Sequence, residues 1–183
     1  EKYADRPALF GDDTALALTR FVKSWVEAIV TPLVAKAIIT GVYDNIHEKD
    51  KSYFRETREK RFGMTLEEFC DPSETQLARI RASLAPARQT LEQQDFLGGA
   101  SPTYADYILF GVLQWARASA PLNLLHSDDP LHPWRERILD LYDDDKDNDG
   151  TVCAMLWCCY SRRSKFRLWL TIAFVAVVGP RFL

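Results

Sequence analysis

Residues 96–115 read FLGGASPTYADYILFGVLQW, and this stretch decides the fold. It opens with glycines and a proline, which favour a loop. Thr103 and Asp106 follow at the spacing of a helical capping box, in which the two residues bind each other's backbone N–H groups. Apolar residues then recur at helical spacing as far as Trp115. We predict a buried helix whose start is capped by Thr103 and Asp106, in a structural and not a catalytic role.

A second long helix is predicted upstream, from about residue 13 to Gly41. Side-chain oxygens of Asp12, Asp13 and Thr14 can cap its start. Pro32 should kink this helix without ending it, because the apolar pattern resumes directly after the proline. Apolar residues at helical spacing form a stripe that we expect to face the core. The stripe consists of Leu18, Phe21, Val22, Trp25, Ile29, Leu33 and Ala37.

The remaining segments up to residue 142 also have helical signals. A charged helix over residues 53–62 is followed by Gly63, a residue that often ends helices. Pro133 suits the first turn of a last helix that runs to about Tyr142. No stretch alternates polar and apolar residues over a useful length, so residues 13–142 are predicted to be all-α. Two further capping boxes are predicted at Thr65 with Glu68 and at Ser73 with Gln76.

Composition and charge narrow the class of protein. The 183 residues are 47% hydrophobic and 27% charged, which is typical of a folded globular chain. The net charge of -3 argues against nucleic-acid binding through the overall field. Residues 151–183 contain five basic residues and no acidic one, unlike the acidic body. This change of composition indicates two parts, which we treat separately.

Sequence motifs for catalysis or metal binding are not found. The chain has no phosphate-binding loop, no dinucleotide fingerprint and no nucleophile elbow. His47, His126 and His132 are far apart and lack the spacing of metal ligands. Cys70 is predicted to be a half-buried apolar residue. We therefore predict no catalytic residue and no metal site in this chain.

Three segments, in order, carry a family resemblance. The loop and helix start at residues 96–106 resemble the C-terminal domain of glutathione S-transferases, whose buried central helix begins with a Thr/Ser and an Asp three residues on. YADRPALF (residues 3–10) resembles the linker that leaves the thioredoxin-like domain of fungal transferases. YFRETREKRFG (residues 53–63) resembles the charged helix of the fungal etherase-related group, the UstS-like or FuA-type transferases. Together these matches extend over residues 1–142.

The resemblance implies an all-α glutathione S-transferase C-terminal helical bundle that forms half of an enzyme. In this family glutathione and the residue that steadies its thiolate belong to a thioredoxin-like domain, which would precede Tyr3. The helical half supplies the wall of the hydrophobic co-substrate site and part of a dimer contact. The resemblance favours Phe21, Lys23 and Trp25 for this wall, with Trp115 and Arg117 as weaker candidates. It also implies a cytoplasmic location, and we expect no transferase turnover from the chain alone.

The resulting prediction divides the chain into four parts. Residues 1–12 are a linker and residues 13–142 are the helical domain. They are followed by an acidic linker at residues 143–150 and a basic, apolar tail at residues 151–183. The acidic stretch matches the first half of a calcium-binding loop, but Leu156 stands where the last carboxylate ligand is required. The tail is short for a membrane-spanning helix and fits peripheral membrane association better. We favour a third explanation, in which the tail is read-through into an intron or a shifted frame, because this produces such an abrupt change of composition.

Two alternative functions stay open at this point. A helical domain of the same fold can bind a ligand or act as a scaffold without catalysis. A membrane-associated variant would use the tail as its anchor.

Overall fold

The computed structural model describes residues 13–141, which fold into helices. The two longest connections are residues 92–103 and 120–130, before and after α7. No β-strand occurs in this range, and the all-α class is confirmed. A π-helical turn, Val26–Val30, joins the first two α-helices without a break. The α-helices are α1 (Asp13–Trp25), α2 (Thr31–Asn45), α3 (Glu48–Phe62), α4 (Leu66–Phe69), α5 (Glu74–Ser83), α6 (Ala85–Leu91), α7 (Tyr104–Ser119) and α8 (Leu131–Asp140).

The first helix differs from its prediction in length and orientation. It continues through Pro32 as expected, but it ends at Asn45 and not near Gly41. The prediction that its whole apolar stripe faces the core is wrong, because Leu18, Phe21 and Ile29 are 63%, 73% and 47% exposed. The stretch Asp13–Asn45 is long and apolar enough to cross a membrane, yet 44% of its most apolar window is buried inside the bundle. A helix in the core of a water-soluble bundle has these same properties.

The core lies between α2 and α7. The two helices run in the same direction, since Asn45 Nδ2 near the end of α2 donates hydrogen bonds to Gly41 O at 2.7 Å and to Ser119 O at 3.2 Å. Their facing side chains are fully buried together with residues of the flanking helices. Apolar burial of this kind is the main contribution to the stability of a helical bundle. The fully buried residues include Val34, Ile38, Leu109, Phe110, Leu66, Ile80 and Trp134.

Most helix ends are close to their predicted positions. Gly63 ends α3 in a left-handed conformation with φ 70°, and Thr65 with Glu68 forms the predicted capping box. Ser73 Oγ accepts a hydrogen bond from the N–H of Gln76, so half of that predicted box is present. The Gln76 side chain donates to Leu33 O at 2.9 Å, which ties α5 to α2. Gln76, which was predicted to act only at the start of α5, therefore also links two helices.

The other boundaries differ by a few residues or cannot be compared. Helix α3 begins at Glu48, five residues before the predicted start, and α8 ends at Asp140. Cys70 is half-buried as expected, with its Sγ 3.2 Å from Thr40 Oγ1. The predicted linkers at residues 1–12 and 143–150 and the tail at 151–183 lie outside the described residues.

Candidate functional site

The start of α7 is built around the carboxylate of Asp106, which is fully buried. This carboxylate accepts hydrogen bonds from the backbone N–H groups of Leu97 (2.6 Å), Gly98 (3.2 Å) and Thr103 (2.9 Å). The Thr103 hydroxyl and the Trp134 indole donate two more, at 3.2 Å and 3.0 Å. Hydrogen bonds to the charged form compensate for the loss of hydration on burial. Asp106 therefore joins the 97–98 loop, α7 and α8.

The capping box explains why a glycine precedes it. A Cβ atom on Gly98 would lie 2.2 Å from Cγ2 of Thr103 and 2.5 Å from its Oγ1, closer than non-bonded atoms approach. The backbone can donate to Asp106 only because this side chain is missing. Trp134 was not included in the sequence prediction of this cluster. Its place in an apolar helical pattern indicates burial, but not the partner of its indole N–H.

The exposed side of α1 is the candidate binding surface. Leu18, Phe21 and Ile29 are the exposed large apolar residues on the first helix. Trp25 is half-buried and packs against the core at the edge of the same side. Phe21 and Trp25 are four residues apart and therefore about 40° apart around the helix axis. We name Leu18, Phe21 and Trp25 of α1, together with Ile29 of the π turn, the α1 surface. Exposed apolar groups in contiguous arrangement are typical of binding sites.

Lys23 belongs to a different side of α1. Its position is about 200° from Phe21 around the helix, since each residue advances the chain by about 100°. Its ammonium group lies 2.5 Å from a carboxylate oxygen of Glu27, one turn further along. Both side chains are partly covered, with 31% and 25% exposure. The structure thus brings Phe21 and Trp25 together and separates Lys23 from them.

Trp115 and Arg117 lie near the end of α7, where Ser119 contacts Gly41 and Asn45. Gly41 is 16 residues after Trp25, or about 24 Å along a helix that rises 1.5 Å per residue. Trp115 is half-buried against the core and Arg117 is exposed. The two groups of predicted wall residues are therefore at different ends of the long helix.

A charged groove of about 420 Å³ lies between α5, α6 and the loop before α8. Its lining includes Arg81, Arg88, His126, Asp128 and Asp129. Both arginines already have partners, since Arg81 donates to Glu74 and to the carbonyls of Asn123 and Leu124. Arg88 donates to the Asp129 carboxylate, with the shortest contact at 2.7 Å. These contacts attach the loop to the bundle and leave little capacity for an anionic ligand.

Asp129 is the acidic residue of this groove whose pKa is shifted by its surroundings. Burial opposes its ionisation, but hydrogen bonds from Arg88 and from the Leu131 N–H outweigh that effect and lower the pKa of the carboxyl group. The Asp129 side chain is 5% exposed. Its carboxylate also accepts from the first residue of α8, as an N-terminal cap does. Sequence reasoning missed this pair because Arg88 and Asp129 are 41 residues apart.

Residues 13–141 contain no cluster of three or more His, Cys, Asp or Glu side chains that could hold a metal ion. His47 caps α3 by accepting a hydrogen bond from the N–H of Lys49. His132 contacts the guanidinium of Arg135. The histidines of the described range thus have structural contacts or lie at the charged groove.

Comparison with known proteins agrees with this architecture. Residues 17–124 match the family model described as "Glutathione S-transferase, C-terminal domain". Two solved structures from Phanerochaete chrysosporium are similar. Glutathione transferase GSTFuA3 has a TM-score of 0.67 and 24% identity over 75% of this chain. Glutathione transferase GSTFuA2 has a TM-score of 0.62 and 21% identity over 76% of this chain. The match covers 59% and 60% of those two chains, so this chain spans about three fifths of their length.

Proposed function

The chain belongs to the glutathione S-transferase C-terminal domain family, and we propose that it forms the co-substrate half of a glutathione transferase. In the complete enzyme a glutathione thiolate attacks an electrophilic carbon of a hydrophobic co-substrate. A carbon–sulfur bond forms, and a halide or an aryl oxide leaves with the electron pair of the broken bond. The α1 surface is the observation that carries this proposal.

The α1 surface has the chemistry that a hydrophobic co-substrate requires. Phe21 is 73% exposed and Leu18 is 63% exposed, so both are free to be covered by an apolar ligand. Covering apolar area stabilises a complex by about 25 cal/mol per Å² before the entropy losses of binding. Trp25 adds an aromatic face whose position is held by the core. Trp115 and Arg117 remain weaker candidates because they lie at the other end of the long helix.

Glutathione itself is proposed to bind to a thioredoxin-like domain outside the described residues. Its two carboxylates and its amine would need free charged partners in any site. The charged groove does not supply them, because Arg81 and Arg88 are bound to Glu74, to Asp129 and to backbone carbonyls. The greater length of the two similar transferases agrees with a second domain. No activation of a thiolate is therefore assigned to residues 13–141.

The test uses the purified chain and the apolar fluorescent probe 1-anilinonaphthalene-8-sulfonate. We expect the chain to bind the probe and Phe21→Ala to weaken binding. Tyr53→Ala is the matched control, because Tyr53 is 71% exposed but lies on α3. Equal affinities of both variants and the parent chain would contradict the assignment of the α1 surface.

A second measurement separates catalysis from simple ligand binding. The chain alone should not conjugate glutathione to 1-chloro-2,4-dinitrobenzene above the uncatalysed rate. Conjugation should appear when a thioredoxin-like domain from a FuA-type transferase is fused before residue 1. Probe binding without conjugation in a folded fusion would favour a non-catalytic ligand-binding domain.

Assembly and location are also proposals. The family resemblance favours a homodimer in the cytoplasm, which analytical ultracentrifugation and cell fractionation would test. Peripheral membrane association through residues 151–183 would be seen as co-sedimentation with liposomes that is lost when these residues are removed. Co-sedimentation that persists without the tail would assign membrane binding to the helical domain instead.

A further inference from the structure

The π-helical turn Val26–Val30 adds one residue to the long first helix. The N–H of Thr31 donates to the carbonyl of Val26, five residues back, where an α-helix uses the residue four back. The helix is regular α-helix on both sides of this turn. A single π turn inside an α-helix is equivalent to an insertion of one residue.

Pro32 is the chemical reason for the turn at this position. Proline has no N–H to donate to Ala28, and its ring collides with the carbonyl four residues back in a regular α-helix. Pro32 occupies the first turn of α2, directly after the π turn. Helix irregularities of this kind arise where proline interrupts the hydrogen-bond ladder. The turn thus accommodates a proline in the middle of a helix of 33 residues.

The added residue changes which side chains face the core. Val26 and Ile38 are both 0% exposed. In an unbroken α-helix these residues, 12 positions apart, would be about 120° apart around the axis. One added residue reduces this angle to about 20°, so both side chains reach the same core. The insertion therefore aligns the buried side of α1 with the buried side of α2.

The same alignment leaves the α1 surface outside. Helix α1 has one buried residue, Thr19, whereas α2 has six. Because α2 has six buried residues and α1 has one, loss of the insertion, which makes the helix regular throughout, would rotate α1 and not α2. A rotation of about 100° would turn Phe21 away from its present direction and expose the Val26 side of the helix.

We propose that Pro32 is the positioning residue of the α1 surface. By holding the inserted residue within Val26–Val30, Pro32 keeps Phe21 and Leu18 outward and Val26 inward. This inference concerns the orientation of the helix and stands on the structure alone. Its consequence for co-substrate binding rests on the function proposed above.

The first arm of the test measures orientation without any ligand. Hydroxyl-radical footprinting with mass spectrometry gives the oxidation rates of Phe21 and Val26 in the full chain, each relative to the unfolded chain. In the parent chain Phe21 should be unprotected and Val26 protected. In Pro32→Ala the restored N–H can donate to the Ala28 carbonyl, so the π turn can relax to regular α-helix and rotate α1, and we expect this difference to be lost.

A compensating deletion provides the matched control. Removing the exposed residue Ala28 from Pro32→Ala takes away the inserted residue together with the proline that fixed it. Val26 and Ile38 then return to about 20° of each other in a continuous α-helix. The difference between Phe21 and Val26 should be restored. If Pro32→Ala alone does not fold, the deletion variant must still fold and show the difference.

The second arm links orientation to binding of 1-anilinonaphthalene-8-sulfonate. Binding should weaken in Pro32→Ala and recover in the deletion variant, with cooperative thermal unfolding in both as the check on folding. An unchanged difference in Pro32→Ala, or its absence from the folded deletion variant, would overturn the inference. The parent chain, Pro32→Ala and the deletion variant could show the expected orientations while none of them binds the probe. This result would refute the proposed binding surface and leave the role of Pro32 intact.

Discussion

The indole Nε1 of Trp134 donates a hydrogen bond to Oδ1 of Asp106 at 3.0 Å, and both side chains are fully buried. This contact joins the first turn of α7 to α8, which is 28 residues further along the chain. Phe110 packs edge-on against the same indole, with ring centroids 6.3 Å apart. The Trp134 side chain therefore belongs both to the apolar core and to the capping network of α7.

Replacing Trp134 by Phe should destabilise the domain by about 2–4 kcal/mol. The change removes one donor from a buried carboxylate and leaves a cavity beside Phe110. Urea unfolding followed by circular dichroism would measure the loss. Trp25→Phe is the control, because Trp25 is half-buried at the surface, and it should cost less than about 1 kcal/mol. Equal losses of unfolding free energy in both variants would show that the hydrogen bond to Asp106 does not contribute to stability.

Gly98→Ala should weaken the cap of α7. The new Cβ would overlap Thr103 Cγ2 and displace a side chain that binds Asp106. We expect a loss of about 1–3 kcal/mol in the free energy of unfolding. The double variant with Thr103→Ala removes the two nearest overlapping atoms and leaves only the Cβ of residue 103, at 2.8 Å, so its loss should be smaller than the sum of the two single losses. Strict additivity would mean that the overlap is relieved elsewhere.

Gly41→Ala tests the close approach of α2 and α7. A Cβ at Gly41 would lie 2.3 Å from the backbone oxygen of Ser119. The overlap should outweigh the better helix propensity of alanine and cost about 1–3 kcal/mol. Gly111→Ala on α7 is the matched control, since nothing lies within 4 Å of its Cβ position. This control should stabilise the domain by about 0.5–1 kcal/mol, as measured by chemical denaturation.

The Arg88–Asp129 pair predicts a stability loss in acid. The folded-state pKa of Asp129 is lowered, so its contribution is present above the pKa of the unfolded chain, about 3.9. That contribution is lost as the pH falls through the lower folded-state pKa. Unfolding free energies at pH 7 and pH 3 should therefore differ more in the parent chain than in Asp129→Asn. Asp128→Asn, at the exposed neighbouring residue, should retain the dependence of the parent chain.

Local sequence signals were sufficient for most helices and for the cap of α7. Thr103, Asp106 and Gly63 act on their own helix ends, and such short-range contacts depend on spacing along the chain. Partners distant in sequence were not predictable in this way. The Arg88–Asp129 pair, the Trp134 indole bond and the link from Gln76 to Leu33 all depend on how helices pack.

The sequence by itself determined the all-α class, the order of the helices and the family, because helical periodicity and capping are properties of neighbouring residues. The orientation of the first helix was decided only by tertiary structure. Periodicity placed Phe21 and Leu18 in a stripe toward the core, whereas the π turn before Pro32 leaves them exposed. A single inserted residue rotates one half of a helix by about 100°, and which half keeps its burial depends on the helices packed against it.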